Sequence, residues 1–215
     1  KKHKPKSKIL VLDANPDIAS KGKLFRKGWE KYYQGLIEYK GAQKVTKVDA
    51  ASNTVWVEGI EAVKGDVVNL VPPQRAGAIA GKAGLIGPDG KWCPVNQQTF
   101  ESSLVPDIHV IGDACIAGAM PKSGYSANSE AKICALNIVA LMNGRETIAL
   151  SGINTCYSFL TDDEAVSVAA VYTFDEEKKA IVSVKDSGGV SPDLSKLEAT
   201  YAESWLRNIL TEMSS

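Results

Sequence analysis

Residues 108–125 read Ile108-His109-Val110-Ile111-Gly112-Asp113-Ala114-Cys115-Ile116-Ala117-Gly118-Ala119-Met120-Pro121-Lys122-Ser123-Gly124-Tyr125, and this stretch decides the fold class. Ile108–Ile111 is a short apolar run ending at Gly112-Asp113, the pattern of a buried parallel strand in an α/β sheet. Gly112 allows a tight turn. Asp113 then stands at the carboxyl end of the strand, where open α/β sheets bind their ligands, and its carboxylate suits a sugar-type hydroxyl. A helix is expected from about Ser123 to Met142, stopping at Asn143-Gly144. Its first turn offers N–H groups and a positive dipole end to negative charge. An ordinary strand, turn and serine-capped helix shares this local signature, so Gly-Asp alone does not specify a cofactor. The continuous block is more specific.

The flanks support the same class. Lys8–Asp13 reads as another buried parallel strand, and Leu24, Phe25, Trp29, Tyr32, Tyr33, Leu36 and Ile37 recur at the spacing of a helix closed near Gly41. Strands are expected at Lys44–Val48, Thr54–Glu58 and Asp66–Val71, the last running into Pro72-Pro73. Residues 74–91 hold five glycines and read as loop with one helical turn. After a boundary near residue 148 the pattern changes to strands at Thr155–Leu160, Ala165–Tyr172 and Ala180–Lys185 with a helix from about Leu194 to Leu210. That is a small α+β domain with a terminal helix.

The formal net charge is zero, but residues 1–47 hold 13 Lys and Arg against 4 Asp and Glu, leaving 12 against 21. This basic front has no interleaved aromatic platform, so solvated faces are the better reading than nucleic-acid binding. No apolar run reaches the ~20 residues of a membrane span. Lys1-Lys2-His3-Lys4 is not a signal peptide and leads straight into a strand, as in a chain cut from something longer. Cys93, Cys115, Cys134 and Cys156 contain no C-x-x-C pair, which argues against a zinc ribbon or thioredoxin-type motif. His3 and His109 do not make a metal site by themselves, and His109 reads as a satisfied structural histidine.

Residues 106–139, and in particular Pro121-Lys122-Ser123-Gly124-Tyr125-Ser126-Ala127-Asn128-Ser129-Glu130-Ala131-Lys132, resemble a flavin-binding segment of the sulfide-oxidising flavoprotein reductases. Trp92-Cys93-Pro94-Val95, Thr99-Phe100-Glu101-Ser102, Asn154-Thr155-Cys156-Tyr157-Ser158, Lys4-Pro5-Lys6-Ser7-Lys8 and Trp205-Leu206-Arg207-Asn208-Ile209 extend the resemblance over nearly the whole chain. The family resembled is the flavin-binding subunit of flavocytochrome c sulfide dehydrogenase, carboxy-terminal half, in the FAD-dependent pyridine nucleotide-disulfide reductase superfamily. The resemblance implies an α/β fold with two Rossmann-like dinucleotide-binding domains and a small α+β carboxy-terminal domain. Residues 1–71 would finish the NAD-like domain, 72–147 return to the FAD domain, and 148–215 form the flavin-binding and interface domain.

The resemblance further implies FAD as cofactor, with haem only on a c-type cytochrome partner, sulfide as substrate, and a periplasmic location. Gly112 and Asp113 would meet the ribityl or pyrophosphate region, and Pro121, Lys122, Ser123, Gly124 and Tyr125 the pyrimidine edge of the ring. Cys156 would be one redox-active cysteine, its partner lying in an amino-terminal half outside these residues. Hydrosulfide would attack that disulfide, and electrons would pass through the flavin to haem. The first G-x-G-x-x-G fingerprint and the cysteine that attaches the flavin are not in this sequence. Gln74, after Pro72-Pro73, is either loop or flavin contact. Tyr125 and Trp205 are either aromatics between flavin and haem or packing residues. Cys115 reads as a packed thiol with the alternative of facing the flavin, and Cys93 and Cys134 as structural. Two other readings stay open: a quinone- or NADH-linked reductase of the same fold, disfavoured by the charged terminal helix, and a non-catalytic fragment that docks a cytochrome.

Overall fold

The computed structural model describes residues 4–59, 62–149 and 151–214. In chain order the elements are β1 (Ile9–Leu12), α1 (Gly22–Tyr33), β2 (Ile37–Lys40), β3 (Val45–Asp49), β4 (Thr54–Val57), β5 (Val63–Lys64), α2 (Ala78–Lys82), a 3₁₀ turn at Gly112–Ala114, α3 (Gly124–Met142), β6 (Gly152–Phe159), β7 (Ala165–Asp175), β8 (Ala180–Ser183), β9 (Gly189–Val190) and α4 (Lys196–Ser214). This is an α/β chain. It separates into two compact units: one holds the chain up to Pro72 with Tyr157–Ser167 and the segment from Ser191, and the other holds Pro73–Cys156 and Val168–Val190.

In the first unit β1 runs parallel to β2, with Ile9 opposite Ile37 and Leu12 opposite Lys40. The helical periodicity was expected to continue through Leu36 and Ile37. Instead α1 ends at Tyr33: Gly35 takes φ +72°, the Leu36 N–H returns to the Tyr33 carbonyl, and Ile37–Lys40 alternates half-buried and exposed positions as a strand. The expected buried strand at Ile9–Leu12 is only half covered, with Ile9 57% exposed, because β2 is its one neighbour in a two-stranded sheet. α1 buries Leu24 against Leu160 and Val166, with Phe25 and Leu194 packed around them. Gly28 is required there, since a Cβ would lie 2.7 Å from Leu160 Cδ1 and 3.1 Å from Leu194 Cδ2.

β3, β4 and β5 form an antiparallel sheet. The strand expected at Asp66–Val71 does not form. Val67 and Val71 are more than four-fifths exposed, and the segment runs into two prolines that have no N–H for a ladder. α4 starts after Ser195, whose hydroxyl accepts the Glu198 N–H, and turns Ala199 and Ala202 into the unit.

The second unit has one main core, in which Phe100, Cys115, Met120, Ile133, Tyr172 and Ile181 meet, and a smaller one around Ala80, Leu85 and Cys93. Its sheet takes the order β6-β7-β8, with β9 antiparallel on β7, and β6 and β7 each pass from one unit into the other. Residues 108–111, expected as a buried parallel strand, are extended but make only an antiparallel bridge from His109 to Glu101, with Ile108 and Ile111 each 38% exposed. A buried parallel strand needs a ladder on both sides, and here the pairing is confined to Phe100–Ser102.

Candidate functional site

The turn after Ile111 is held from both sides. Gly112 takes φ +70°, and its N–H donates to Glu130 Oε2 on α3 at 2.6 Å. Glu130 is 2% exposed, and the Cys115 thiol lies 3.6 Å from the same oxygen. Burial pushes the Glu130 carboxyl above the ordinary carboxylate range, and the Gly112 N–H pulls the other way. From the exposed side Lys122 Nζ donates to the carbonyls of Asp113 and Cys115, each at 2.7 Å, and stands 3.9 Å over the Trp92 ring. Lys122 is therefore a strap across the turn. The Asp113 carboxylate is exposed and makes no hydrogen bond or ion pair among the described residues.

The next layer is the start of α3. Ser123 is the N-cap and accepts the Ser126 N–H at 3.1 Å, as its place before the helix predicts. Gly124 is exposed and Tyr125 half-buried in the first turn. Ser123, Ser126 and Ser129 recur every third residue and tie α3 to the start of β6. Ser123 Oγ and Ser126 Oγ donate to Asn154 Oδ1 at 2.5 and 3.3 Å, and Ser129 Oγ donates to the Ile153 carbonyl at 3.0 Å and accepts its N–H at 3.3 Å. Asn154 is 3% exposed, and its Nδ2 lies 3.4 Å from Cys156 Sγ. Through this network Cys156 is linked to the helix cap of the Gly112–Asp113 block.

The four thiols differ. Cys93, Cys115 and Cys134 are buried and Cys156 only partly so. Burial raises the Cys93 and Cys134 thiols, and burial with the Glu130 charge pushes Cys115 up to about 12. Those three are packed thiols that resist forming thiolate.

Of the other expected residues, Pro121 is half-buried before the Lys122 strap, and Gln74 is exposed in the loop before α2. Trp205, half-buried on α4, belongs to the other compact unit. His109 departs from its expectation, since its buried Nε2 has no hydrogen-bond partner among the described residues. His3 lies outside them. The described residues hold no cluster of His, Cys, Asp and Glu that would take a metal ion, and no helix long and apolar enough to cross a membrane. Sequence reasoning missed Glu130, Asn154 and Asn137. For the two on α3 the signal was Ser126, Glu130, Cys134 and Asn137 at helical spacing on one buried face, largely polar where an apolar stripe was expected.

Two family profiles match the chain, and both describe the same protein. Residues 1–72 match the central region of the sulfide dehydrogenase [flavocytochrome c] flavoprotein chain, and residues 149–213 match its flavin-binding region, together more than half of the sequence. The chain belongs to the flavocytochrome c sulfide dehydrogenase flavoprotein family. Among solved structures, the sulfide:quinone oxidoreductase of the hyperthermophilic bacterium Aquifex aeolicus is similar in fold, with a TM-score of 0.71 and 13% identity over 95% of this chain and 49% of that one. The reduced CoADR-RHD of Bacillus anthracis matches with a TM-score of 0.47 and 14% identity over 85% of this chain and 39% of that one. The chain thus spans about half the length of the first of these structures.

The residues present fit part of a flavin site. The exposed Asp113 carboxylate, without a protein partner among the described residues, stands on a braced turn close in sequence to the first turn of a 19-residue helix, where Gly124 is exposed and Tyr125 half-buried. That donor set suits hydroxyls and an electron-rich ring edge.

Proposed function

We propose that this chain supplies the carboxy-terminal half of a flavoprotein that oxidises sulfide and passes the electrons to a c-type cytochrome in the periplasm. The observation that carries the reading is the Cys156 arrangement: the least buried of the four thiols, joined by one buried asparagine to the cap of the helix in the candidate flavin block. Residues 1–71 then complete an NAD-like domain, 72–147 a returning segment of the FAD domain, and 148–215 the flavin-binding and interface domain. FAD is the cofactor. Asp113 and the Gly112 backbone hold its ribityl or pyrophosphate part, and Pro121, Lys122, Ser123, Gly124 and Tyr125 border its ring, with Gln74 as an outlying contact. When bound, FAD supplies the step from two-electron sulfur chemistry to the one-electron chemistry of haem.

Cys156 acts as half of a disulfide with a cysteine of the amino-terminal half. Hydrosulfide attacks the partner sulfur, the S–S bond breaks, the partner carries a persulfide, and the bond pair stays on Cys156 as thiolate. Lys122 and Glu130 keep the Gly112–Cys115 turn rigid, so that Asp113 is presented in one orientation. The test is Cys156→Ser in the complete flavoprotein with its cytochrome. Sulfide-dependent cytochrome c reduction is expected to disappear while flavin content stays near that of the parent, and normal turnover would sink the reading. A quinone as acceptor is the competing reading, drawn from the fold neighbour. Reduction of a soluble quinone faster than of cytochrome c, at equal enzyme and sulfide, would favour it.

A further inference from the structure

Asn154 has a defined orientation. Ser123 Oγ accepts the Ser126 N–H and donates its own hydrogen to the Asn154 carboxamide at 2.5 Å, a separation in the O–H···O range and shorter than N–H···O bonds. That assigns the near end of the carboxamide as the oxygen. The Ser126 hydroxyl, 3.3 Å away, donates to the same atom. With the oxygen held against α3, the NH₂ group is turned to Cys156 Sγ at 3.4 Å, where the thiol proton can return toward Oδ1 at 3.7 Å.

We infer that Asn154 is a positioning residue for Cys156, its carboxamide N–H donating to the sulfur as that sulfur takes up negative charge. The inference rests on the reading of Cys156 as the redox thiol. A neutral thiol is a poor acceptor and a thiolate a strong one, so the N–H···S bond strengthens when the disulfide opens and the bond pair settles on Cys156. Asn154 is buried, so water competes little for that N–H. The serines matter because they keep the carboxamide from turning over and facing its oxygen to the anion. Tyr172 on β7, the strand next to β6, is a titratable group within electrostatic range of the sulfur. Burial, and after it the Cys156 charge, raises its phenol above the ordinary tyrosine value.

The experiment uses the complete FAD-loaded flavoprotein with its cytochrome, reduced and then treated with iodoacetamide across a pH series, with alkylation read at the Cys156 peptide. Asn154→Asp keeps an oxygen for Ser123 and Ser126 but removes the donor. Its alkylation midpoint is expected to rise by about one pH unit or more, roughly a tenfold slower reaction at a fixed pH below the midpoint. Asn154→Ala is expected to shift the midpoint the same way by less. Midpoints equal to wild type in folded, flavin-replete variants would overturn the role of Asn154 while leaving Cys156 in place. Normal turnover of Cys156→Ser would remove the underlying reading instead. Should neither variant fold, ¹⁵N-asparagine labelling of the wild type decides: the Asn154 carboxamide signal is expected to move with the alkylation midpoint, and a signal that stays constant through it overturns the inference.

Discussion

Glu130 is the residue where burial and charge conflict most. Its carboxyl is raised above the ordinary value of 4.5, chiefly by desolvation. The folded protein therefore binds this proton more tightly than the unfolded chain. The resulting stability is fully present below the unfolded value and is lost as pH rises through the folded one. Glu130→Gln keeps an acceptor for the Gly112 N–H, so denaturant titrations of this variant should show a flatter stability profile than wild type as pH rises from 4.5. An unchanged slope would mean that Glu130 is solvated. Gly118 is a second decisive residue. It takes φ +58°, and a Cβ there would lie 2.4 Å from Gln97 Oε1 and 2.5 Å from the Ile181 carbonyl. Gly118→Ala is expected to lower stability by about 2 kcal/mol or more, because neither the backbone angle nor the Ile181 carbonyl can yield cheaply. A melting temperature equal to wild type would contradict this close approach.

At the scale of the element, α3 carries the site. One face is buried yet lined by Ser126, Glu130 and Asn137, each engaged by backbone or side-chain partners. A helix with such a face cannot slide along its axis without orphaning buried polar groups, so the polar lining sets its register as well as its position. Ser129 holds both the N–H and the carbonyl of Ile153. Ser129→Ala should cost about 1–2 kcal/mol and increase hydrogen exchange at Ile153, while Ser123→Ala should cost about 1 kcal/mol through the lost cap. If Ile153 exchanges as slowly in Ser129→Ala as in wild type, the serine ladder is not what holds β6.

For the whole molecule, the governing fact is length. The chain spans 49% of the Aquifex aeolicus structure that shares its fold. It contains no G-x-G-x-x-G turn for a pyrophosphate. Expressed alone, residues 1–215 are expected to purify with far less than stoichiometric flavin, and the visible flavin spectrum should be restored by co-expression of the remaining half. Tight stoichiometric FAD in this chain alone would show that the Gly112–Tyr125 block suffices for binding. Ile9 and Leu10, on a strand that reads as buried, are exposed beside β2, its one paired strand among the described residues.

The sequence by itself determined the α/β class, the helix from Ser123 to Met142 with its cap, the strands of the last third and the family, because each depends on local spacing or on a contiguous motif. It misjudged residues 36–40, 66–71 and 108–111, where the same apolar residues satisfy a helix, a strand or an extended loop, and only the available hydrogen-bond partners choose among them. Tertiary structure alone decided that Lys122 straps the Gly112–Cys115 turn, that Glu130 anchors it from inside, and that Asn154 joins the helix cap to Cys156. Apart from Asn154 and Cys156, which are two positions apart, those contacts join residues 7–31 positions apart. No spacing rule reaches that far, because their energy comes from satisfying buried polar groups that exist only once the chain has closed around them.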